Sequence, residues 1–166
     1  LYVVMPSTPY DAKGLLKSAI RDENPVLFIE HKLMYSSVMG PVPEEEYLIP
    51  LGVADVKRAG KDVTIVSYSR MVHFALAAAA QLERDGIDAE VIELRSLNPL
   101  DLDTVAASVR KTGRLVMVQE CFPRASVGES VIRRVMEYRF EDSGRNGFTY
   151  LDGPPVLLAA ADTPIP

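Results

Sequence analysis

There is no tryptophan among these 166 residues, and a single cysteine, Cys121. One cysteine excludes an internal disulfide and any zinc cluster built on cysteines, and it fits a reducing compartment. No apolar run comes near the roughly 20 residues that a membrane-spanning helix needs, and no basic-then-apolar leader stands at the start. Asp and Glu number 23 against 18 Lys and Arg, a net charge of -5. With no Lys/Arg cluster, a nucleic-acid face is disfavoured. The phosphate-binding patterns Gly-x-Gly-x-x-Gly and Gly-x-x-x-x-Gly-Lys-Ser/Thr are absent, and so is the Gly-x-Ser-x-Gly nucleophile elbow. Nucleotide-fold and α/β-hydrolase readings therefore have no motif behind them. What is present is 48% hydrophobic residues with no internal repeat, enough for one ordinary core or for one domain and part of another.

Those apolar residues alternate between two periods. Val3 to Met5 reads as a buried strand broken by Pro6-Ser7-Thr8-Pro9. Thr8 is a good cap and Pro9 a good first residue for a helix to Arg21, with Ala12, Leu15, Leu16, Ala19 and Ile20 on one face. Asp22 to Pro25 ends it, and Val26 to Ile29 follows as a second buried strand. Strand, helix and strand make a βαβ unit with parallel strands. From Tyr35 to Leu51 the periodicity is lost. Pro41, Pro43 and Pro50 around Glu44-Glu45-Glu46 predict an extended linker with a solvated acidic face.

The alternation then resumes. Strands are predicted over Asp62 to Ser67, Ala89 to Leu94, Leu115 to Gln119 and Val156 to Ala159. Helices are predicted over Arg70 to Arg84, from Asp101 or Asp103 through Val109 with a stop at Gly113, and from Ser126, in a capping box with Glu129, to about Tyr138. Asn98-Pro99 reads as a turn and Glu141 to Gly153 as a loop. The fold class is α/β, a three-layer α/β/α unit on a mostly parallel sheet, with the last strand open to an antiparallel edge placement. The division is 1–35, a linker over 36–52, and 53–166.

Few residues carry chemistry by position alone. Ser67-Tyr68-Ser69 lies at a strand's carboxyl end, but no base is paired with it. His31 follows a strand and either lines a cleft or serves structure. His73, early in a helix, reads as a surface or interface histidine, and two lone histidines make no zinc site. Glu120, beside Cys121 at a strand end, is either a site carboxylate or a partner of Arg95 or a backbone amide. The turn Ala19 to Asn24 offers unpartnered helix-end carbonyls beside Asp22 and Asn24, oxygens that suit a hard cation, although Asp-x-Asn is also an ordinary turn.

The run Val4-Met5-Pro6-Ser7-Thr8-Pro9-Tyr10-Asp11-Ala12-Lys13-Gly14-Leu15-Leu16, then Arg21-Asp22-Glu23-Asn24-Pro25-Val26 and Glu30-His31-Lys32-Leu33-Met34-Tyr35, closely resembles the beta subunit of thiamine-diphosphate-dependent 2-oxo acid dehydrogenases. These are the pyruvate and branched-chain types within the transketolase superfamily. The likeness continues through Ile49-Pro50-Leu51-Gly52, Val91-Ile92-Glu93-Leu94-Arg95, Asn98-Pro99-Leu100-Asp101 and Lys111-Thr112-Gly113-Arg114 to Asp162-Thr163-Pro164-Ile165-Pro166. It is weakest over Cys121 to Pro155.

The resemblance implies the C-terminal half of such a subunit: the last βαβ of a pyrimidine-binding domain, then a transketolase-like C-terminal domain. It implies a structural potassium ion held at Ala19, Ile20, Asp22 and Asn24. It implies no catalytic or cofactor-binding residue in these 166, since the family's catalytic glutamate and histidine fall upstream of Leu1, and hence an inactive chain when alone. In the full assembly the cofactors are thiamine diphosphate and Mg2+, the latter with the diphosphate on an alpha subunit. The partners are that alpha subunit, a second beta subunit and a dihydrolipoyl acyltransferase core, with no nucleic acid and no membrane. The reaction is decarboxylation of a 2-oxo acid and reductive acylation of lipoyl groups. An acetoin dehydrogenase beta subunit and a non-catalytic interaction module are the alternatives; a single-chain deoxyxylulose-phosphate synthase fits less well. The compartment is the cytoplasm in a bacterium, or the mitochondrial matrix or plastid in a eukaryote.

Overall fold

The computed structural model describes residues 1–163; Pro164-Ile165-Pro166, part of the resemblance, lie outside that range. The first unit forms for local reasons. β1 (Tyr2–Val4) ends before Pro6, and α1 (Pro9–Arg21) starts where the extended Thr8 accepts the Asp11 amide on its hydroxyl at 3.1 Å. Pro9 supplies the first helical φ without losing a bonded N–H. β2 (Val26–Phe28) returns parallel to β1, with Tyr2, Val3 and Val4 opposite Val26, Leu27 and Phe28. This is the expected βαβ unit. β2 is the edge of its sheet, however, and Leu27 is 48% exposed, so the strand is not buried as its apolar run suggested.

After the single turn α2 (Met34–Ser37), the chain does not run free. Tyr47 stacks on Tyr10 with ring centroids 4.5 Å apart, and Ile49 is buried with Val4 and Leu15. Gly14 permits this approach: a Cβ there would lie 2.6 Å from Ile49 Cγ1 and 2.8 Å from the Tyr47 ring. The stretch expected to be an extended linker is thus held against α1, because its few apolar side chains find the helix's small-residue notch. Glu44, Glu45 and Glu46 do remain exposed.

The second unit contains β3 (Asp55–Arg58), β4 (Val63–Ser67), α3 (Met71–Arg84), β5 (Ala89–Glu93), β6 (Ser96–Asn98), α4 (Leu102–Thr112), β7 (Leu115–Val118), α5 (Val127–Glu137) and β8 (Val156–Leu158). Five of these strands form a sheet in the order β3-β5-β4-β7-β8. β8 runs parallel to β7, so the last strand is not the antiparallel edge; that place belongs to β3, which pairs antiparallel with β5. α3 covers one face, its Ala75 and Ala79 close over Ile65, Ala89 and Val91. α4 and α5 cover the other, with Val105, Val109, Val131 and Val135 against Val66, Ile92, Leu94 and Met117. These are the three expected layers.

β6 is a departure. Ser96 to Asn98 lie outside every strand expected from sequence, with Asn98 read as part of a turn, yet they pair antiparallel with β1 and complete a sheet ordered β2-β1-β6. A strand from the second unit therefore finishes the sheet of the first. Among the described residues no helix is long and apolar enough to cross a membrane.

Candidate functional site

Because β1 and β2 are parallel, their carboxyl ends open on the same side, where α/β sheets place ligands. A cavity of about 280 Å³ lies there. The β1–α1 loop, Pro6 to Pro9, lines it together with His31, Met34 and Tyr35. No lysine or arginine lines it. Tyr35 donates its hydroxyl to Glu30 at 2.8 Å at the rim, and that hydrogen bond raises the Tyr35 phenol.

Behind the β1–α1 loop sits a buried charge cluster. Asp11 and Glu93 carry fully buried carboxylates, and Asp55 adds a third. One oxygen from each of the three lies within 4.8 Å of the others, a spacing that suits a metal ion. The Lys57 ammonium occupies that place instead, 2.7 Å from Asp11, 2.8 Å from Asp55 and 2.8 Å from Glu93. Arg95 closes the cluster on the far side, paired with Asp11 and, at 2.8 Å, with Asp55. Burial pushes the Asp11 carboxyl up, but hydrogen bonds from Lys57 and Thr8 and the nearby Arg95 outweigh it and hold the group below the usual carboxylate range. At Glu93 burial wins, reinforced by Asp11 and only partly offset by Lys57, and the carboxyl is raised. Burial would lower the Lys57 ammonium, yet Glu93 and the hydrogen bonds to Asp11 and Asp55 raise it. Three carboxylates against two cations leave the cluster with one negative charge in excess.

A second cleft, of about 380 Å³, opens at the carboxyl ends of β4 and β7. His31 Nε2 and Glu120 Oε2 meet across its mouth at 3.0 Å, and Arg70 stands 3.6 Å from Glu120. Glu120 thus pairs with His31 and Arg70. It does not reach Arg95, which belongs to the buried cluster. Ser67 donates its hydroxyl to the Val118 carbonyl at 3.0 Å and is fully buried, so it is no nucleophile. Tyr68 and Cys121 face each other at 3.9 Å, and burial, with Cys121 beside it, raises the Tyr68 phenol. His73 is an interface residue: its Nε2 lies 2.8 Å from the Ser7 carbonyl, joining α3 to the β1–α1 loop.

Ala19 and Ile20 lie on the last turn of α1, and Asp22 and Asn24 follow in the turn that ends it. Asp22 Oδ1 accepts the Asn24 amide at 2.8 Å and the Asn24 side-chain nitrogen at 2.9 Å, and these bonds hold the Asp22 carboxyl low. Among the described residues no loop amide reaches the Ala19 or Ile20 carbonyl.

Sequence reasoning missed Asp11, Lys57 and Asp55, and offered Arg95 only as a partner of Glu120. Lys57 and Asp55 lie on a strand that carries one apolar residue, so nothing flagged it. Glu93 did leave a signal, an acid set between Ile92 and Leu94 in a run that had to be buried, and such a group needs a partner.

Family comparison adds a second line of argument. The chain matches the transketolase pyrimidine-binding domain over residues 1–37 and the transketolase C-terminal domain over residues 52–166. It is 51% identical, over 99% of its length and 48% of the relative's, to the pyruvate dehydrogenase E1 component subunit beta of Bacillus subtilis. It is 47% identical, over 99% of its length and 48% of the relative's, to the 2-oxoisovalerate dehydrogenase subunit beta of the same organism. The acetoin:2,6-dichlorophenolindophenol oxidoreductase subunit beta of Cupriavidus necator is 54% identical over 84% of this chain and 41% of its own length. Among solved structures, a split-gene transketolase described as an inactive beta4 tetramer superposes with a TM-score of 0.72 at 27% identity, over 97% of this chain and 48% of that one. The chain spans about half the length of these relatives. The βαβ unit, the three-layer second unit and these matches lead to one statement: the chain belongs to the transketolase family, with that family's C-terminal domain and a part of its pyrimidine-binding domain.

Proposed function

We propose that this chain is part of the beta subunit of a thiamine-diphosphate-dependent 2-oxo acid dehydrogenase. The protein that contains it would decarboxylate a 2-oxo acid and reductively acylate the lipoyl groups of an acyltransferase core, working with an alpha subunit and a second beta subunit. The observation that carries this reading is the 51% identity to a pyruvate dehydrogenase beta subunit over 99% of the chain. The cavity at the carboxyl ends of β1 and β2 is assigned to an uncharged ring of the cofactor, against the expectation of no cofactor-binding residue in these 166 residues; its lining without lysine or arginine supports this. With no lysine or arginine in its lining, it is unsuited to the diphosphate, which with its Mg2+ is assigned to the alpha subunit. No catalytic residue is assigned within these 166, and by themselves they are proposed to serve assembly and to be inactive. Their potassium site is assigned to the carbonyls of Ala19 and Ile20 with Asp22 and Asn24; the absence of loop amides at those carbonyls supports it. The compartment proposed is the cytoplasm in a bacterium, or the mitochondrial matrix or plastid in a eukaryote.

A second substrate reading has its own observation, the 54% identity to an acetoin oxidoreductase beta subunit over 140 residues. One experiment separates them. The full-length beta chain, assembled with its alpha subunit, is assayed with pyruvate, 3-methyl-2-oxobutanoate and acetoin. Turnover of either 2-oxo acid supports the first reading, preference for acetoin moves the chain to the second, and turnover of none refutes both. The 166 residues alone should show no heat of binding with thiamine diphosphate and Mg2+ by isothermal titration; micromolar binding would overturn the assembly role.

A further inference from the structure

We propose that the second unit holds the β1–α1 loop from behind, and that Lys57 and Arg95 act as positioning residues for the ligand cavity at the carboxyl ends of β1 and β2. This goes beyond the proposed function and rests on it only for the identity of the ligand. The loop is short and carries no secondary structure of its own, yet it is gripped at every step. Val3 and Val4 pair with β6, and the Met5 amide donates to the Arg95 carbonyl at 2.8 Å. The Ser7 carbonyl is tied to His73 at 2.8 Å, and Ser7 is 1% exposed. Asp11, on the first turn of α1, is gripped by Lys57 and Arg95 together. Pro6 to Pro9, the segment that these ties hold, lines the cavity.

Two features argue that the cluster serves geometry. Buried ion pairs give little stability over well-packed apolar side chains, and what they supply best is a defined register. Two cations binding three carboxylates from α1, β3 and β5 fix a direction in space that apolar packing would not. Arg95 also holds a left-handed backbone at φ 56, a conformation that a non-glycine residue keeps only when its surroundings impose it. There its carbonyl meets the Met5 amide while its guanidinium meets Asp11 and Asp55. The strained residue is therefore the one that touches both ends of the loop. A reacting or binding group displaced by about 1 Å loses much of its effect, so releasing this wall should be felt in the cavity.

The test uses the full-length beta chain assembled with its alpha subunit, as wild type, Lys57→Met, Lys57→Met/Glu93→Gln (the balanced variant, whose cluster keeps the wild-type net charge), and Lys57→Arg. Three quantities are read: the dissociation constant for thiamine diphosphate with Mg2+, the melting temperature, and amide exchange at residues 7, 8 and 10 to 12 against α4. Expected are a dissociation constant about tenfold weaker in both methionine variants, faster exchange at residues 7 to 12 with α4 unchanged, and partial recovery in Lys57→Arg. A lowered melting temperature with cofactor affinity within about twofold of wild type would mean a structural role only and overturn the proposal. Should Lys57→Met not fold, the balanced variant decides; failure of that variant to fold would also assign the cluster to stability. If the wild-type assembly binds no thiamine diphosphate, the proposed function fails. The positioning role is then judged on exchange alone, and unchanged protection at residues 7 to 12 overturns it.

Discussion

Replacing Glu93 with glutamine takes one charge from a cluster that has one negative charge too many. Glu93 shares Lys57 with Asp11 and Asp55, while Arg95 serves the other two carboxylates. Without the Glu93 charge, Asp11 and Asp55 stand against Lys57 and Arg95 in balance, and a glutamine oxygen still faces Lys57. Glu93→Gln should therefore cost less than about 1 kcal/mol at pH 7, whereas Lys57→Met, which leaves the fully buried Glu93 without a cation and Asp11 with Arg95 alone, should cost about 3–5 kcal/mol. The sign of the pH dependence sharpens the contrast. Glu93's folded pKa is raised above its ordinary 4.5, so the folded chain binds this proton more tightly than the unfolded one. Wild-type stability then falls as pH rises from 4.5 through the raised value, by up to about 1.4 kcal/mol per pH unit. Asp11 works in the other direction. Its folded pKa lies below 3.8, so its stabilisation is present above 3.8 and is lost as pH falls through the lowered value. Lys57, raised above 10.5, contributes fully below 10.5 and loses its contribution as pH climbs through the raised value.

Urea unfolding of the 166 residues, followed by far-ultraviolet circular dichroism from pH 4.5 to 9, reads the Glu93 limb by itself, because the Asp11 and Lys57 windows lie outside that range. The wild type should be most stable on the mildly acid side, and Glu93→Gln should lack that falling limb, so the gap between the two closes or inverts as pH rises. Parallel curves for the two proteins, or a loss in Glu93→Gln at pH 7 as large as that in Lys57→Met, would refute the charge count.

Two further outcomes follow from other contacts. Gly14→Ala places a methyl 2.6 Å from Ile49 Cγ1 and should destabilise the chain by about 1–3 kcal/mol, with amide exchange rising first at Ile49, whose N–H bonds the Gly14 carbonyl at 3.3 Å; a neutral effect would mean that residues 47 to 51 are loosely held. For the full-length protein, potassium should raise the melting temperature above that in an equal concentration of choline, and Asp22→Ala should abolish the difference; the same melting temperature in both salts would remove the cation from the turn.

How much of this was legible depended on how local each signal was. α1 runs from Pro9 to Arg21 as read, because Thr8, Pro9 and the Asp22 to Pro25 turn act within a few residues of themselves. Of the two aspartates offered as the start of α4, the cap is Asp101, which accepts the Thr104 amide at 3.0 Å. The capping box of α5 holds in a shifted form: Ser126 accepts the Glu129 amide, but Glu129 reaches back to the Ala125 amide, one residue further than the motif implies. β3 and β6 were not legible, since one carries a single apolar residue and the other three residues in all; each is a strand only because a distant partner pairs with it. The cavity shares that dependence, because its wall is set by contacts from β3, β5 and α3.

The composition break over 36–52 is a change in sequence pattern and not a gap in contacts. Across it, Tyr47 and Ile49 lie on α1, β6 joins the sheet of β1, and Lys57 and Arg95 grip Asp11. A proline-rich, acidic stretch reads as a tether because periodicity vanishes there. Periodicity reports only how an element packs against a broad face, and one aromatic and one aliphatic side chain packed beside one glycine leave no period to detect. The buried charges escape the same kind of reading for a related reason. Asp11 and Lys57, unlike Glu93, are ordinary in their own windows, and only the antiparallel entry of β3 beside β5 carries the ammonium to the carboxylates. Of these residues Glu93 alone marks the place in sequence, since a charge in a fully buried strand has to be answered from elsewhere in the fold. The search for such sites in related chains should therefore start from isolated charges inside apolar runs, and look for the answering side chain on the strand with the fewest apolar residues.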